Sequence, residues 1–542
     1  MKEYLARIFN DLSQKLTYLN EVDFIFTVPQ QDSHGDYSTN VAMLLTKKIK
    51  RNPREIAQEI INGLSYSNEI ITKIEIAGPG FINFYFTPTY ITEIIKQVIS
   101  LGSEYGKSKK YEGKKAIVEF VSANPTGPLT VGHGRNAVIG DTVANMLEYI
   151  GYSVDREYYF NNAGRQMRVL GDSVRLRYLE LLGEEIQFPD DYYQGDYIKD
   201  IAHALFIEFG NKLSSEDAEG KFKEKAENEI FKDIIKTLAN AKVKMKNFYN
   251  EHTLYEEGKI KSLLELFKNK NLSYEKDDAI WLKLQELGNE QDKVIVKSTG
   301  EPTYRLPDIA YHITKYERNY DLIVDLFGSD HSATYPDVLA GLKALGYDTS
   351  IIKVLIHQFV TIMDKGEVVK MSTRKANYIT LDELIDEVGS DVVRYFFNMR
   401  SMTSHLNFDI DLAKKQSDEN PVFYLQYAHA RIASILRMTQ TEGLIQSLEN
   451  LALLQKTEEQ KLIKKIYEFP SEILHCSEQF EPHRITTYLE ELASLFHRFY
   501  TECRIIGSDK NLAEARIALV MAVQQTIKNG LTILGVDSPE KM

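Results

Sequence analysis

The feature that most constrains the fold is a regular alternation of strand, turn and helix that begins at Lys114. Ala116–Val121 is a short apolar run typical of a buried strand, and an amphipathic helix follows it after a turn rich in glycine and proline. Val154–Phe160 is the next strand, and Leu322–Phe327 and Ile351–Ile356 continue the pattern after an interruption. Such alternation is typical of a parallel sheet with crossover helices, so we predict a Rossmann-type α/β domain.

The rest of the chain predicts further domains. A chain of 542 residues exceeds the roughly 250–300 residues that one core supports. The N-terminal part combines helices with two strands, the interruption is charged and helical, and the C-terminal part is amphipathic helix throughout. The predicted units are an α+β domain (1–107), the Rossmann-type domain (114–390) with a helical insertion (about 165–285), a connector (391–420) and an all-α domain (421–542).

Composition limits the classes of function. Two cysteines cannot build a disulfide framework or a cysteine-based zinc site, which favours a reducing cytoplasm. The first residues alternate charged and apolar side chains, unlike a signal peptide, and no apolar run approaches the roughly 20 residues that span a membrane. The net charge of −13 opposes non-specific binding of nucleic acid, but a specific nucleic-acid partner needs only a local basic surface.

The segment Ser122–Asp141 carries the first candidate site. It lies between the first strand of the sheet and its helix, where open α/β sheets bind ligands. Gly132 and Gly134 would let the backbone approach a ligand, the helix N-terminus behind them favours anions, and His133 would donate to a nucleotide phosphate. The alternative is a tight turn with a surface histidine.

A loop after the last strand of the sheet carries the second candidate site. The run from Val369 to Asn377 contains three cations, Lys370, Arg374 and Lys375. Cations in this position suit the charge that develops on a transferring pyrophosphate. Taken alone, the segment is better explained as a solvated basic loop.

In this order and on these elements, the two segments resemble the HIGH and KMSKS signatures of class I aminoacyl-tRNA synthetases. The wider sequence resembles bacterial arginyl-tRNA synthetases in VEFVSANPTGPLTVGHGRNAVIGD, FNNAGRQ, KMSTRKANYITLDELIDEVG, YLQYAHARIASILR and NGLTILGVDSPEKM. HGDYSTNVAM and AGPGFINFYF resemble the N-terminal domain of that family. The resemblance covers essentially the whole chain. It implies ATP-dependent ligation of L-arginine to tRNA(Arg) through an arginyl-adenylate, with Mg²⁺ accompanying ATP, an N-terminal tRNA-binding domain and a C-terminal anticodon-binding domain.

The resemblance also implies three sets of site residues. Positions implied in catalysis and ATP binding are Thr130, Gly132, His133, Gly134, Lys370, Met371, Ser372, Arg374 and Lys375. Positions implied in arginine binding are Glu119, Ser122, Asn124, Tyr304, Asp308, Asp330 and His331, with Asp308 expected to pair with the guanidinium. Positions implied in tRNA binding are Tyr424, Arg431, Arg498 and Arg504. No protein-bound metal is expected, and we expect a cytoplasmic monomer.

Two departures from the family pattern leave other interpretations open. Thr130 replaces the first histidine of HIGH, and Thr373 replaces the second lysine of KMSKS, although Arg374 and Lys375 follow it. One alternative is therefore a non-catalytic RNA-binding paralogue, which would bind tRNA without forming an adenylate. A second alternative is a small-molecule nucleotidyltransferase, against which the long helical C-terminal region argues. For Asp308 alone, a helix N-terminal charge favoured by the helix dipole is the simpler interpretation.

Overall fold

The computed structural model describes the chain except for residues 30, 163, 330–333 and 370–378. The N-terminal α+β domain is present as predicted. A three-stranded antiparallel sheet, in the order Tyr37–Thr39, Phe81–Phe86, Ile71–Ala77, packs against the helices, and Leu5 and Phe9 of the first helix enter its core. Its elements are α1 (Lys2–Ser13), β1 (Tyr37–Thr39), α2 (Val41–Ile49), α3 (Pro53–Gly63), β2 (Ile71–Ala77), β3 (Phe81–Phe86) and α4 (Pro88–Leu101).

The predicted parallel sheet forms the centre of the molecule. The further strands are β4 (Lys115–Glu119), β5 (Ser153–Phe160), β6 (Asn247–Asn250), β7 (Ser273–Lys276), β8 (Ala279–Leu282), β9 (Lys293–Val296), β10 (Leu322–Gly328), β11 (Ile352–His357), β12 (Val360–Asp364), β13 (Glu367–Val368) and β14 (Leu406–Asp409). Five of them form the order β11-β10-β4-β5-β6 with every pair parallel. This order brings the carboxyl ends of β4 and β10 together at one edge, where a ligand can bind.

The helices of the Rossmann-type domain and the adjoining region follow the crossover pattern. They are α5 (Val131–Tyr149), α6 (Arg165–Leu181), α7 (Asp196–Phe209), α8 (Lys223–Asn240), α9 (His252–Glu256), α10 (Lys259–Asn269), α11 (Arg305–Glu317), α12 (Tyr335–Leu345), α13 (Leu381–Val388), α14 (Ser390–Asn398) and α15 (Ile410–Lys414). α5 is buried on nearly all sides, and Gly140 lets Phe120 pack directly on its backbone, since a Cβ there would lie 2.2 Å from the Phe120 ring.

The interruption between residues 165 and 285 is helical in the main, but the sequence interpretation missed its strands. β6 returns to the parallel sheet beside β5, and β7 and β8 form an antiparallel sheet with β9. β6 is only four residues long, lies at the sheet edge and begins and ends with asparagine. It therefore lacks the apolar run by which a buried strand is recognised.

The linker between the first two domains, residues 102–113, and the predicted connector are both packed. In the linker 102–113, the Tyr105 hydroxyl donates to the Ile466 carbonyl at 2.6 Å, and the Asn529 amide donates to the carbonyls of Gly102 and Tyr105, each at 2.9 Å. In the connector 391–420, β14 pairs with β12 and α14 packs on α5. These contacts fix the C-terminal helices against the linker, and the connector against β12 and α5.

The C-terminal domain is all-α, as predicted. It consists of α16 (Pro421–Thr441), α17 (Thr457–Gln479), α18 (Pro482–Glu502) and α19 (Lys510–Leu534). By length and composition α19 could cross a membrane, although polar residues interrupt its apolar stretch. However, 72% of its apolar window is buried among the neighbouring helices, as in the core helix of a helical bundle.

Candidate active site

A cavity at the carboxyl edge of the parallel sheet gathers most of the residues predicted to bind arginine. It encloses about 190 Å³ and lies between the ends of β4 and β10 and the N-terminal turns of α11 and α12. Five of the seven predicted residues line it, namely Glu119, Ser122, Asn124, Tyr304 and Asp308. Asp330 and His331 lie outside the described residues. Residues from two chain segments almost 200 positions apart thus share one pocket.

A sharp turn at the end of β4 directs side chains into this cavity. Val121 and Ser122 both have left-handed backbone conformations, with φ of 65° and 40°. Such conformations are costly for residues with a Cβ and persist only where the surroundings enforce them. Here Val121 N–H donates to Asn136 Oδ1 at 2.6 Å, and Asn136 Nδ2 donates to the Leu326 carbonyl at 3.0 Å, which ties the turn to β10.

Glu119 is held from two sides beneath the cavity. The Ser122 hydroxyl donates to its Oε1 at 3.0 Å, and Lys315 Nζ lies 2.5 Å from its Oε2. Lys315 is fully buried, at 0% exposure, and also donates to Asp325 Oδ1 at 2.6 Å. Its ammonium stands 4.4 Å from the centre of the Tyr311 ring. Burial opposes the charge, but the Asp325 and Glu119 carboxylates raise the pKa of Lys315 above its ordinary value, so Lys315 is a cation.

α11 supplies the opposite wall through residues spaced three to four apart. Asp308, His312 and Lys315 therefore lie on one face of the helix. Burial raises the pKa of Asp308 to about 7. Within the described part of the chain, no Lys, Arg or His side chain forms an ion pair with this carboxylate. A carboxylate in such surroundings gains most from a cationic ligand.

Tyr304 lies at the mouth of the cavity, where 48% of its surface is exposed. The guanidinium of Arg305 stands 4.8 Å from the centre of its ring, and Arg305 Nε donates to Asp337 Oδ2 at 2.8 Å. The ring is thus held at the rim rather than inside the pocket.

In the first motif, Thr130 caps helix α5, a structural role that the sequence interpretation missed. Thr130 is the N-cap of α5, and its hydroxyl accepts from His133 N–H at 3.5 Å. In return Thr130 N–H donates to His133 Nδ1 at 3.2 Å. A neutral His133 ring therefore carries its proton on Nε2. Thr130 thus caps the helix and orients the ring of the histidine.

Gly134 also has a structural role. Its N–H donates to the Thr130 carbonyl at 2.9 Å within the helix, and a Cβ at this position would lie 2.6 Å from Leu381 Cδ1. Gly134 therefore serves the packing of α5 on α13, and its approach to a nucleotide stays a prediction. At Gly132 the nearest atom to a Cβ would be Thr130 Oγ1 at 3.7 Å, so this glycine leaves open space.

The two motifs meet through the backbone. Thr130 and Thr380 form an isolated antiparallel bridge, and Leu381 N–H donates to the Leu129 carbonyl at 2.8 Å. Thr380 also caps α13 in a capping box with Glu383. The predicted residues of the second motif, Lys370, Met371, Ser372, Thr373, Arg374 and Lys375, lie outside the described residues. The chain just beyond them is therefore fixed beside His133.

The predicted tRNA-binding residues lie on α16, on α18 and just after α18. Arg431 Nη2 donates to the Tyr500 hydroxyl at 2.9 Å, and the Arg431 guanidinium stands 4.8 Å from the centre of the Tyr500 ring. Tyr424 packs on His497 with ring centres 4.8 Å apart. Arg498 and Arg504 are exposed. The structure thus presents cations and partly exposed aromatic rings on this domain.

Several cavity residues were not predicted. They are Asn136, Tyr159, Asn161, Tyr311, His312, Asp325, Leu326, Phe327, Gly328, Thr334, Tyr335, Val338, Leu339 and Val354, with Val121. The spacing of Asp308, His312 and Lys315 places three ionisable side chains on one face of a helix. This spacing could have indicated that further polar residues pack against that face, because buried charged groups need partners. Among the described residues, no group of three or more His, Cys, Asp or Glu side chains could hold a metal ion.

Comparison with known proteins accounts for all three domains. Residues 94–396 match the family model for the catalytic domain of class I tRNA synthetases (R), residues 1–86 match the arginyl-tRNA synthetase N-terminal domain, and residues 425–542 match the DALR anticodon-binding domain. An arginine–tRNA ligase of Desulfotalea psychrophila is 49% identical over 100% of this chain and 99% of its own. One of Pelodictyon phaeoclathratiforme is 50% identical over the full length of both.

Solved structures agree. A structure described as a putative arginyl-tRNA synthetase of Campylobacter jejuni superposes with a TM-score of 0.78 at 32% identity, covering 84% of this chain and 100% of that one. The arginyl-tRNA synthetase of Thermus thermophilus shares the fold with a TM-score of 0.79 over the whole of both chains, at 20% identity. With the full-length identity and the cavity described above, these matches show that the chain belongs to the arginyl-tRNA synthetase family, the arginine–tRNA ligases of class I.

Proposed function

We propose that the protein ligates L-arginine to tRNA(Arg) and that the cavity at the sheet edge is its arginine site. The observation that carries this proposal is the Asp308 carboxylate, which faces the same cavity as Glu119, Ser122 and Asn124 without a cationic side-chain partner among the described residues. A guanidinium supplies the missing charge and can donate two parallel hydrogen bonds to a carboxylate. Tyr304 covers the guanidinium end from the rim, and Glu119 with Asn124 holds the α-ammonium.

The reaction proceeds in two steps. The arginine carboxylate attacks the α-phosphate of ATP, which forms arginyl-adenylate and releases pyrophosphate. The terminal adenosine hydroxyl of tRNA(Arg) then attacks the activated carbonyl and releases AMP. Neither step needs a covalent enzyme intermediate, because positioning and electrostatic stabilisation supply the acceleration.

His133 is our candidate for holding the ATP phosphates at the N-terminus of α5. Its Nδ1 accepts from Thr130 N–H, so Nε2–H is the ring donor that can reach a phosphate oxygen. The helix N-terminus favours the same negative charge, and Lys370, Met371, Ser372, Arg374 and Lys375 contribute from the second motif. Mg²⁺ arrives with ATP, so a chelator should abolish activity and added Mg²⁺ should restore it.

The proposed tRNA contacts are on the C-terminal helices. Arg431, Arg498 and Arg504 offer charge to phosphates, and Tyr424, which packs on His497, offers a stacking surface for unpaired bases. The N-terminal domain contributes a second contact with the tRNA. We also propose that the enzyme acts as a monomer in the cytoplasm. Its proposed domain boundaries are those predicted above from the sequence.

The direct test is arginine-dependent exchange of pyrophosphate into ATP, measured with and without cognate tRNA. Family resemblance leads us to expect exchange only when tRNA(Arg) is present. Binding of tRNA without exchange would instead identify a non-catalytic RNA-binding protein, the alternative raised by Thr130 and Thr373. Exchange that survives deletion of residues from 421 onward would indicate a small-molecule nucleotidyltransferase.

A further inference from the structure

Arg135 joins the N-terminal part of α5 to two loops that are distant in sequence. It follows His133 by two residues and is fully buried, at 0% exposure. Its Nη1 donates to the Gln358 carbonyl at 2.7 Å and to the Ser404 carbonyl at 3.0 Å, and its Nη2 donates to the Ser401 carbonyl at 3.1 Å. One guanidinium therefore holds three backbone carbonyls of two loops against the helix.

Both loops lead into one small sheet. Gln358 lies in the link between β11 and β12, and Ser401 and Ser404 lie in the turn before β14. β12 pairs with β14 in parallel and with β13 in an antiparallel hairpin. The loops are also bonded to each other, because Gln358 N–H donates to the Met402 carbonyl at 2.9 Å. Arg135 thus fixes the amino ends of β12 and β14 on α5.

The same sheet leads the chain into the second motif. Val369, the first residue after β13, still belongs to the hairpin, because its N–H donates to the Ile362 carbonyl at 3.0 Å. Where the chain leaves the second motif, Thr380 bridges to Thr130. Both ends of the second motif are therefore attached to the start of α5, one end through the backbone and the other through Arg135.

Stability alone does not account for a guanidinium at this place. Burial lowers the pKa of Arg135 to about 10, so the side chain is still a cation at neutral pH. Among the described residues no carboxylate pairs with it, and its Nε has no hydrogen-bond partner. A buried charge without a counter-charge is unfavourable, and an apolar side chain of similar volume is often at least as stable. By contrast, Arg394 is equally buried but pairs with Asp141 at 2.6 Å.

We propose that Arg135 is a positioning residue for ATP: it fixes the β12–β13 hairpin, and with it the start of the second motif, beside His133. The inference rests on the proposed function, in which His133 and the second motif hold the ATP phosphates. In this scheme Arg135 makes no contact with substrate. Arginine depends on the next residue instead, since Asn136 binds the Val121 N–H at 2.6 Å and the Leu326 carbonyl at 3.0 Å.

The test compares two substitutions in tRNA-dependent pyrophosphate exchange. Arg135→Lys keeps the charge but offers one nitrogen to three carbonyls, whereas Arg135→Met removes both charge and donors. A lost hydrogen bond to a charged group corresponds to roughly 10- to 100-fold, so KM for ATP should rise about tenfold in Arg135→Lys and about 100-fold in Arg135→Met. KM for arginine should be unchanged in both variants.

The matched control is Arg394→Lys. Arg394 is also fully buried and donates to the carbonyls of Leu534 at 2.8 Å and Ala241 at 3.0 Å, but it contacts α5 through Asp141, away from both motifs. Arg394→Lys should lower the melting temperature without changing KM for ATP. An equal rise of KM for ATP in Arg394→Lys and Arg135→Lys would indicate general loosening of α5 and would overturn the proposal.

A purely structural role of Arg135 gives a different result. Loss of folded protein lowers the measured rate but does not change KM, so KM remains informative even for a variant that folds poorly. An unchanged KM for ATP in Arg135→Lys, or equal rises of KM for ATP and for arginine, overturns the proposal.

His133→Ala separates this proposal from the proposed function. If His133→Ala raises KM for ATP and Arg135→Lys does not, the inference about Arg135 fails alone. If wild-type protein shows no arginine-dependent exchange, or His133→Ala leaves KM for ATP unchanged, the proposed ATP site fails and the inference falls with it. The two failures are therefore distinguishable.

Discussion

Replacing Asp308 with asparagine should weaken arginine recognition by an amount that depends on pH. The Asp308 pKa of about 7, against an ordinary 3.8, means that ionising this carboxylate in the empty pocket costs about 4 kcal/mol. A bound guanidinium repays this cost through a charge-assisted pair. Removing one partner of a buried hydrogen-bonded charge pair typically costs about 2–5 kcal/mol, or roughly 30- to 5000-fold.

The pH dependence follows from the titration of Asp308. At pH 6 about a tenth of the free wild-type enzyme has an ionised Asp308, and at pH 8 about nine tenths. Wild-type affinity for arginine should therefore rise about tenfold between these values, whereas Asp308→Asn has no proton to lose and should stay flat. The defect of the variant, measured as the ratio of kcat/KM for arginine in tRNA charging, should be about ten times larger at pH 8 than at pH 6.

The assay includes its own reference, because KM for ATP is measured in the same reactions. Asp308→Glu serves as the conservative variant and should retain a pH-dependent profile. An equal defect at pH 6 and pH 8 would refute the titration argument. An unchanged kcat/KM for arginine would refute the assignment of Asp308 to the guanidinium.

Two further predictions concern stability. Lys315→Met leaves Glu119 and Asp325 buried without their cation and should lower the free energy of unfolding of this domain by about 3–5 kcal/mol. Urea unfolding is followed by the fluorescence of the single tryptophan, which lies in β8. The control is Lys259→Met, which removes a more exposed ion pair and should lower the free energy of unfolding by about 1 kcal/mol or less. Thr130→Val removes the α5 cap and should lower the free energy of unfolding by about 1 kcal/mol, whereas Thr130→Ser keeps the hydroxyl and should retain most of that stability. Thermal unfolding measures both variants, and equal stability of the two would contradict the capping role.

The parallel sheet was predictable because its buried strands are continuous apolar runs. β4, β5, β10 and β11 each match the predicted strand within one or two residues, and the helical C-terminal domain has clear amphipathic spacing. β6 escaped because an edge strand of four residues with polar ends shows no apolar run. The strand gains its stability from pairing with β5, which is a tertiary contact that local sequence does not encode.

The arginine pocket was predictable only in part. Glu119, Ser122 and Asn124 follow a strand, and Tyr304 and Asp308 begin a helix, so family resemblance could place them. The charges behind them could not be placed in this way, because Lys315 and Asp325 become partners only when α11 packs on β10. Thr130 is a different case. In the sequence it appears only as a departure from the first histidine of the HIGH signature, but in the structure it caps helix α5.

The measurement that tests the central claim most directly is a crystal structure with a non-hydrolysable arginyl-adenylate analogue. We predict that the guanidinium lies within hydrogen-bonding distance of the Asp308 carboxylate, that the α-ammonium lies beside Glu119 and Asn124, and that the phosphate group points toward His133. An analogue bound in the reverse direction, or outside the cavity between β4 and α11, would contradict the assignment of this pocket as the arginine site.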